Sequence, residues 1–375
     1  MHLKKLSLIN FRNYIKEEVS FDPHLNIFLG DNGQGKTNLL EAIYFLSGGK
    51  SNRTRQDKEL INWEKDLFTL RGIYESKKGS GSINILNPRG DRKRYKLNGI
   101  EKRENSGEIK AVLFSPDDLN LIKGSPSLRR NFLDREGSQI FPLYSYNLKK
   151  YNKVLRQRNK LLKLNMIGDK YLEPWDRQLI EYGSFIVKKR LEIINKMSML
   201  SRLIYRRLTQ GRENFQISYF SEMGFQGEDS LEKIRDILEN SLHKKREEEI
   251  RYGATLLGPH RDDLHVFVEG QEARLYGSQG QQRTGILSLK MAILEIIKGY
   301  WGEYPLLLLD DVFSELDEER RDYLVKEIKN GMQTFITSTR EKNISPGLEK
   351  WATKFLIHKG ECHPLPHGKN IRFSG

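Results

Sequence analysis

One segment constrains this chain more than any other: Gly30-Asp31-Asn32-Gly33-Gln34-Gly35-Lys36-Thr37 fits the pattern G-x-x-x-x-G-K-[ST] at every fixed position. An apolar run at 25–29 precedes it and predicts a buried strand, and residues 38–46 carry apolar side chains at helical spacing. Glycine lets backbone N–H groups turn inward around phosphate oxygens, and a helix N-terminus adds partial positive charge. The segment, called the P-loop below, therefore predicts a nucleotide site at a strand–loop–helix junction.

The residue types of the P-loop suit ATP bound with Mg²⁺. Lys36 is expected to reach the β- and γ-phosphates, and the Thr37 hydroxyl is expected to hold the metal. The alternative is an ordinary glycine turn that binds no nucleotide, and the flanking strand and helix argue against it. The residues expected to bind the nucleotide here are Gly30, Asp31, Asn32, Gly33, Gln34, Gly35, Lys36, Thr37 and Asn38.

A second segment supplies the carboxylates that such a site needs. The apolar run 306–309 ends in Asp310 and Asp311, which is typical of a buried parallel strand. Asp310 is expected to hold Mg²⁺ through water, and Asp311 to orient or deprotonate the attacking water. An ordinary strand running into an acidic turn is the alternative, which is weak beside a P-loop. Lys36, Asp310 and Asp311 are therefore expected catalytic residues.

A third segment resembles part of the ABC ATPases. Ser278-Gln279-Gly280-Gln281 is similar to the Ser-x-Gly-Gln core of their signature, and a helical pattern follows it. In ABC ATPases this element faces the γ-phosphate held by the opposite subunit. The resemblance implies that Ser278 is a further catalytic residue, that Gly280 and Gln281 bind the nucleotide, and that ATP drives homodimer formation. Ser314-Glu315-Leu316-Asp317 resembles the D-loop of the same interface.

Two departures from the ABC pattern predict slow hydrolysis. Asp311 stands where glutamate is usual and is one methylene shorter. Ser338-Thr339-Arg340 stands where a switch histidine is usual, so a hydroxyl of Ser338 or Thr339 is expected to sense the γ-phosphate, with less capacity for proton transfer. We expect an ATPase that acts as a timer rather than a motor.

The net charge of +14 favours a polyanionic partner, nucleic acid first, over a merely soluble basic surface. Residues 149–163 hold seven Lys or Arg and no acid, on a segment that is expected to be helical. Phosphate contacts from such a segment bind DNA without reading its sequence. The expected DNA-binding residues are Lys149, Lys150, Lys153, Arg156, Arg158 and Lys160.

Cysteine content and hydropathy argue against secreted and membrane classes. The single cysteine, Cys362, excludes a disulfide framework within the chain, and no apolar run approaches the length of a membrane span. These patterns predict a cytoplasmic protein that does not act on a membrane.

The order of patterns predicts a nucleotide core with an insertion. Strands are expected at 3–9, 17–21, 68–75, 82–86, 93–104, 264–268 and 271–276, with a hairpin turn at Asn98-Gly99. An apolar stripe at helical spacing along 175–208 is expected to be packed core, and a further helix with a solvated charged face is expected near 230–249. The predicted domains are 1–126 (first part of an ATPase head), 127–250 (inserted, basic, mainly helical) and 251–375 (second part of the head).

This order resembles the ABC-type heads of the SMC family. SMC proteins carry a very long coiled coil in the insertion, whereas the interval between Lys36 and Ser278 is about 240 residues and much of it is expected to be globular, so a long coiled coil does not fit. The expected fold class is therefore α/β: an ABC/SMC-type ATPase head with an added antiparallel sheet and an inserted mainly helical domain, without a long coiled coil.

Further motifs resemble the RecF family of bacterial DNA replication and repair proteins along nearly the whole chain. They are Asn10–Tyr14, the P-loop with Asn38, Phe114–Leu119, Gly124–Asp134, Gly258–Asp263, Ser278–Arg283 and Asp310–Asp317. The resemblance implies slow ATP hydrolysis, an ATP-dependent dimer, and binding to double-stranded, single-stranded or gapped DNA. It also implies RecR and RecO as partners in recombinase loading, and a part in the SOS response.

The same resemblance adds site residues. Arg12 and Asn13 lie where SMC-like heads contact the nucleotide phosphates. The segment 114–119 lies where a Q-loop would be, but it has no glutamine, so Asp117 or Asp118 is expected to touch magnesium or water.

Two other function classes stay open at this point. A transporter ATPase subunit would share the P-loop and the signature, but the basic insertion argues against it. An interaction scaffold with vestigial ATP binding would make Asp311 dispensable.

Overall fold

The computed structural model describes residues 1–54, 56–105, 107–164, 166, 169–341, 344, 347–348 and 351–366, without the side chain of Asp169. The last part of the predicted segment 251–375, residues 367–375, lies outside this range. The chain divides into two compact units. Unit 1 joins Met1–Asp118 with Ile297–Gly375, and unit 2 is Leu119–Ile296.

The elements are numbered in chain order. The strands are β1 (His2–Phe11), β2 (Tyr14–Ser20), β3 (Leu25–Leu29), β4 (Leu67–Ser76), β5 (Gly79–Pro88), β6 (Arg94–Leu97), β7 (Ile100–Lys102), β8 (Ala111–Phe114), β9 (Phe215–Phe220), β10 (Asp263–Val268), β11 (Gln271–Glu272), β12 (Leu306–Asp310), β13 (Thr334–Ser338), β14 (Thr353–His358) and β15 (Glu361–Leu365). The α-helices are α1 (Lys36–Gly48), α2 (Asn120–Lys123), α3 (Pro126–Ile140), α4 (Tyr144–Lys163), α5 (Asp169–Leu208), α6 (Leu231–Lys244), α7 (Arg246–Tyr252), α8 (Ala273–Tyr276), α9 (Gln279–Trp301) and α10 (Glu318–Ile328).

A mostly parallel sheet in unit 1 has the strand order β15-β14-β3-β13-β12-β8. Strands β14, β3, β13, β12 and β8 are mutually parallel, and β15 pairs antiparallel with β14. Every residue of β3, β12 and β13 is buried, which confirms the buried strands predicted from the apolar runs 25–29 and 306–309. The carboxyl ends of parallel strands share one edge of the sheet, and this edge carries the P-loop, Asp310 and Ser338.

A second sheet of unit 1 is antiparallel, with the order β2-β1-β4-β5-β6-β7. The predicted hairpin turn at Asn98-Gly99 is confirmed: both residues have positive φ, 51° and 81°, as a type I′ turn requires. Helix α1 and apolar faces of both sheets form one core, in which the rings of Phe11, Phe45 and Phe68 pack edge to face. The added antiparallel sheet of the expected fold class is therefore present.

Unit 2 is built around α5, a helix of 40 residues. The apolar stripe along this helix is packed core as predicted, with Leu179, Ile186, Ile193 and Met197 all buried. The predicted insertion, 127–250, lies within this unit, which also includes 251–296. Strand β10 pairs along its whole length with β9, so these later residues fold with the inserted segment.

Two local predictions in unit 2 were wrong. The strand expected at 271–276 is only the two-residue β11, because Ala273–Tyr276 forms the short helix α8 with only Ala273 buried. The helix expected near 230–249 is two helices, α6 and α7, separated at Lys245. Within the described part of the chain, no helix is both long enough and apolar enough to cross a membrane.

Candidate nucleotide and DNA sites

The P-loop connects the end of β3 to the start of α1. Gly30 and Gly35 have φ angles of 154° and 119°, which disfavour any side chain. A Cβ atom at Gly30 would clash with the carbonyl oxygen of Ile357, and one at Gly35 would lie 2.7 Å from Nδ2 of Asn13. Both fixed glycines of the pattern are therefore required by close backbone and side-chain neighbours.

Lys36 is buried and folds back over the loop. Its Nζ donates hydrogen bonds to the carbonyl oxygens of Gly30, at 2.6 Å, and Asp31, at 2.8 Å. Burial lowers the pKa of Lys36, against the opposing charges of Asp311 and Asp310. A cation held by neutral carbonyls at a helix N-terminus can exchange those partners for phosphate oxygens.

Thr37 and Asp310 are brought together as the sequence predicts for a metal site. The Thr37 hydroxyl donates to Oδ1 of Asp310 at 2.9 Å, although the two residues are 273 positions apart. A hydroxyl and a carboxylate beside a phosphate-binding loop are the hard oxygen ligands that Mg²⁺ prefers. This donor set fits a magnesium ion carried in with a nucleotide.

Thr337 was missed by sequence reasoning. Its hydroxyl donates to Asp310 Oδ1 at 2.8 Å and accepts from the backbone N–H of Asp311 at 2.9 Å. Its only sequence signal is a polar residue directly before the Ser338-Thr339 pair. Ser338 itself is buried, and its hydroxyl donates to the carbonyl oxygen of Arg340 at 2.9 Å.

Asp311 sits just beyond the end of β12 in the left-handed conformation, with φ of 53°. Burial is the main cause that raises the pKa of its carboxyl; the charge of Asp310 raises it further, while Lys36 lowers it. A carboxylate with a raised pKa is better suited to accept a proton.

Asn13 and Tyr14 support the P-loop from the β1–β2 turn. Asn13 Nδ2 donates to the carbonyl oxygen of Gln34 at 2.9 Å, and its Oδ1 accepts from Asn38 at 2.8 Å. The buried Tyr14 hydroxyl donates to the carbonyl oxygen of Gly35 at 3.0 Å. Sequence reasoning identified Asn13 and Asn38 as nucleotide ligands; in unit 1 Asn13 contacts Asn38 and the loop, and Asn38 Oδ1 accepts from Arg53 at 2.9 Å.

Arg12 forms a two-point ion pair with Glu41 on α1, at 2.9 and 3.0 Å. Glu41 is buried and also pairs with Arg53 at 3.5 Å. Glu41 is a further residue that sequence reasoning missed, and a phosphate contact by Arg12 stays a prediction.

The segment in the Q-loop position makes a local turn. Asp118 Oδ2 accepts a hydrogen bond from the backbone N–H of Ser115 at 2.7 Å, while Asp117 is exposed. Contact of either carboxylate with magnesium or water stays a prediction.

The signature segment opens α9 in unit 2. The backbone N–H of Ser278 donates to Gln281 Oε1 at 2.9 Å, and the N–H of Gln281 donates to the Ser278 hydroxyl oxygen at 3.2 Å. This reciprocal pair is a capping box, which fixes the helix start. Ser278 and Gly280 are exposed, so they are accessible to a ligand, while Gln281 also donates to Glu213 at 2.9 Å.

The basic helix α4 presents one charged face. Five exposed cations recur at spacings of four and three residues, as one face of a helix requires. They are Lys149, Lys153, Arg156, Lys160 and Lys163, called the α4 stripe below, and the exposed Lys150 flanks it. The stripe extends about 21 Å at 1.5 Å per residue.

Arg158 was wrongly grouped with these residues. Its side chain is fully buried and donates to Asp176 and Glu249, each at 2.6 Å, and to Thr255 at 2.7 Å. Arg158 lies on the opposite face of α4, with the buried Tyr151 and Leu162. Glu249 was expected on a solvated face, but it is buried because it belongs to the ion-pair network of Arg158.

The described chain resembles known proteins along almost its whole length. The family described as RecF/RecN/SMC N terminal domain matches residues 2–355. The DNA replication and repair protein RecF of Natranaerobius thermophilus is 43% identical, covering 98% of this chain and 99% of its own. That of Halothermothrix orenii is 46% identical, with coverage of 92% and 94%.

Solved structures agree with this relationship. The recombination mediator protein RecF with ATP, from the RecFOR pathway, superposes with a TM-score of 0.90 at 36% identity, covering 97% of this chain and 98% of its own. The Smc head domain of Pyrococcus furiosus, at 17% identity, a TM-score of 0.54 and coverage of 97% and 96%, shares the fold. The fold class expected from the sequence, an SMC-type ATPase head, is confirmed. From these matches, the chain belongs to the RecF family.

Proposed function

We propose that this chain is an ATP-dependent DNA-binding protein of recombinational repair and replication restart. The proposal rests on one observation: the hydroxyls of Thr37 and Thr337 both donate to Asp310 beside the P-loop. This site suits a nucleoside triphosphate with Mg²⁺. Relatives named as DNA replication and repair proteins, and a solved relative with ATP, support the assignment.

In this proposal each residue of the nucleotide site has one task. Lys36 binds the β- and γ-phosphates, and Thr37 with Asp310 holds the metal, which supplies charge neutralisation for phosphoryl transfer. Asp311 orients the attacking water and accepts its proton. Its short side chain and the hydroxyl of Ser338 in place of a histidine support slow hydrolysis, which acts as a release timer.

A homodimer completes the site in the proposal. The exposed Ser278 of one protomer binds the γ-phosphate held by its partner, with Gly280 and Gln281 beside it. ATP therefore closes the dimer, and hydrolysis reopens it.

DNA is the proposed partner of the closed dimer. The α4 stripe supports this assignment, because its cations are exposed and, among the residues of the helix itself, no acid interrupts them. Gapped duplex, RecR and RecO are proposed as partners because of the relative from the RecFOR pathway, and a role in the SOS response is proposed from family resemblance alone.

The test is fluorescence anisotropy of labelled gapped duplex DNA at near-physiological salt, with ATP, with ADP and without nucleotide. Wild type is compared with Ser278→Arg, in which a long side chain fills the space meant for the partner's phosphate. Tight binding only with ATP, lost in Ser278→Arg, is the expected result. Equal binding in all nucleotide states would overturn gating by ATP.

A nucleotide-binding control separates the two parts of the proposal. Ser278→Arg is expected to bind a fluorescent ATP analogue as well as wild type, because Lys36 and Thr37 are unchanged. If Ser278→Arg still dimerises with ATP, the shared site is wrong. If wild type binds no DNA in any state, the DNA-binding part of the proposal is wrong.

A further inference from the structure

A turn near the end of the described chain is bonded to the P-loop. This turn, His358–Gly360, joins β14 to β15. The backbone N–H of Lys359 donates to the side-chain Oε1 of Gln34 at 2.8 Å, and the N–H of Gly360 donates to the Gln34 carbonyl oxygen at 3.0 Å. A P-loop residue that the G-x-x-x-x-G-K-[ST] pattern leaves variable is thus held by two neighbouring N–H groups.

The opposite side of Gln34 is held as well. The carbonyl oxygen that accepts from Gly360 also accepts from Asn13 Nδ2 at 2.9 Å. Gly360 has φ of 81°, and a Cβ atom there would clash with the carbonyl oxygen of Asn13. Only glycine lets the turn approach both Asn13 and Gln34 this closely.

The turn is itself anchored. Strand β14 runs parallel to β3, the strand that leads into the P-loop, with Leu356 opposite Leu29. In β15, the backbone N–H of the buried Cys362 donates to Glu17 on β2 at 2.9 Å. The turn therefore belongs to the sheet framework and can fix the position of the loop.

We propose that the turn 358–360 and Gln34 form a clasp that holds the P-loop in its phosphate-binding shape before the nucleotide arrives. A loop rich in glycine samples many backbone conformations, and binding is weaker when the ligand must order it. Asn13, Gln34 and Gly360 are positioning residues in this scheme, since they act on the backbone rather than on the reacting atoms. The clasp rests on the proposed binding of ATP.

The test compares Gly360→Ala with Gly331→Ala in the full chain. Both positions have positive φ, 81° and 91°, but a Cβ atom at Gly331 meets nothing within 4 Å, so it controls for backbone strain alone. Affinity for a fluorescent ATP analogue with Mg²⁺ is expected to fall roughly tenfold in Gly360→Ala. This corresponds to a loss of about 1.4 kcal/mol of binding free energy, because the ligand must then order the loop. In Gly331→Ala the affinity is expected to stay at the wild-type value.

A second variant keeps the proposal testable if Gly360→Ala folds poorly. Gln34→Ala removes the side-chain acceptor for Lys359 without adding atoms, and it is expected to raise KM for ATP. In a double-mutant cycle, the two substitutions are expected to be non-additive, because each opens the same clasp. Wild-type affinity and KM in both variants would overturn the clasp, whereas failure of wild type to bind ATP would overturn the proposed function as well.

Discussion

The hydroxyl of Thr337 donates a hydrogen bond to Oδ1 of Asp310 at 2.8 Å, between directly paired residues of neighbouring parallel strands. Both side chains are buried, with 2% and 9% of their surface exposed. Because the same hydroxyl accepts from the backbone N–H of Asp311, one side chain fixes both carboxylate positions at the edge of the sheet.

Replacing this hydroxyl is expected to damage stability and hydrolysis together. Thr337→Val keeps the shape but leaves the N–H of Asp311 without its partner, which costs about 1–3 kcal/mol of unfolding free energy. Single-turnover ATP hydrolysis is expected to fall roughly tenfold, since misplacing catalytic groups raises the barrier. Thr337→Ser is the matched control and is expected to retain both. Urea unfolding and quenched-flow hydrolysis measure the two effects, and wild-type hydrolysis in Thr337→Val would contradict this role.

Asp311→Asn is expected to slow ATP hydrolysis without weakening ATP binding. Asparagine tolerates the left-handed backbone of this position, so the substitution removes the charge with little strain. Loss of the general base is expected to slow hydrolysis by about 10²–10⁴-fold, while affinity for ATP is retained or increased. The measurements are single-turnover hydrolysis and equilibrium binding of a non-hydrolysable analogue. Unchanged hydrolysis would mean that another group activates the water, or that ATP turnover is irrelevant, as in a scaffold.

Much of the nucleotide site was predictable because the residues that define it lie close together in the sequence. The P-loop combines a buried strand, fixed glycines and a helix within about twenty residues, so the pattern itself specifies the geometry. The two aspartates follow an unbroken apolar run, whose burial on both sides marks the end of a parallel strand.

What the sequence did not reveal depends on pairing between distant segments. Thr337 reaches Asp310 only through the register of β13 beside β12, and Gly360 reaches Gln34 only because β14 lies beside β3. No local periodicity encodes such a register. Arg158 is a different case: it shares a helical face with the buried Tyr151 and Leu162, a spacing already visible in the sequence.

The exposed cations of the α4 stripe and the buried Arg158 are expected to respond differently to substitution. Lys153→Gln removes one exposed cation of the α4 stripe, so DNA affinity should fall and the slope of log K against log salt should decrease by about 1, without loss of stability. Arg158→Met leaves Glu249 buried without its ion-pair partner and leaves Asp176 paired only with Arg246, so unfolding free energy should fall by about 3–5 kcal/mol. Salt titrations of DNA anisotropy and urea unfolding test the pair, and an unchanged salt slope in Lys153→Gln would remove α4 from the DNA interface.

A last prediction concerns two buried groups in unit 2 that titrate in opposite senses. Burial lowers the pKa of His260 to about 4, helped by the charges of Arg261, Arg130 and Arg190. Burial raises the pKa of Asp262 to about 6, although Tyr219 and Ser221 hydrogen bonds and the same arginines 130 and 190 oppose it. His260 also contacts the Tyr151 hydroxyl at 2.7 Å.

The signs follow from linkage between proton binding and folding. Between pH 6.5 and 4 the unfolded state protonates His260 more readily than the folded state, so this residue destabilises the fold as pH falls. Asp262 acts oppositely: the folded state holds its proton up to about pH 6, so its contribution to stability grows as pH falls from 6 toward 4. The two effects largely offset each other in the wild type.

Asp262→Asn is expected to reveal the loss of stability that His260 causes as pH falls. Relative to wild type, its unfolding free energy should decrease as pH falls from 6 to 4, by at most about 1.4 kcal/mol per pH unit. His260→Gln should show the reverse, gaining stability relative to wild type over the same range. Urea unfolding of the three proteins at several pH values between 4 and 7 measures these differences. Parallel pH profiles for wild type and both variants would show that neither group changes its protonation on folding.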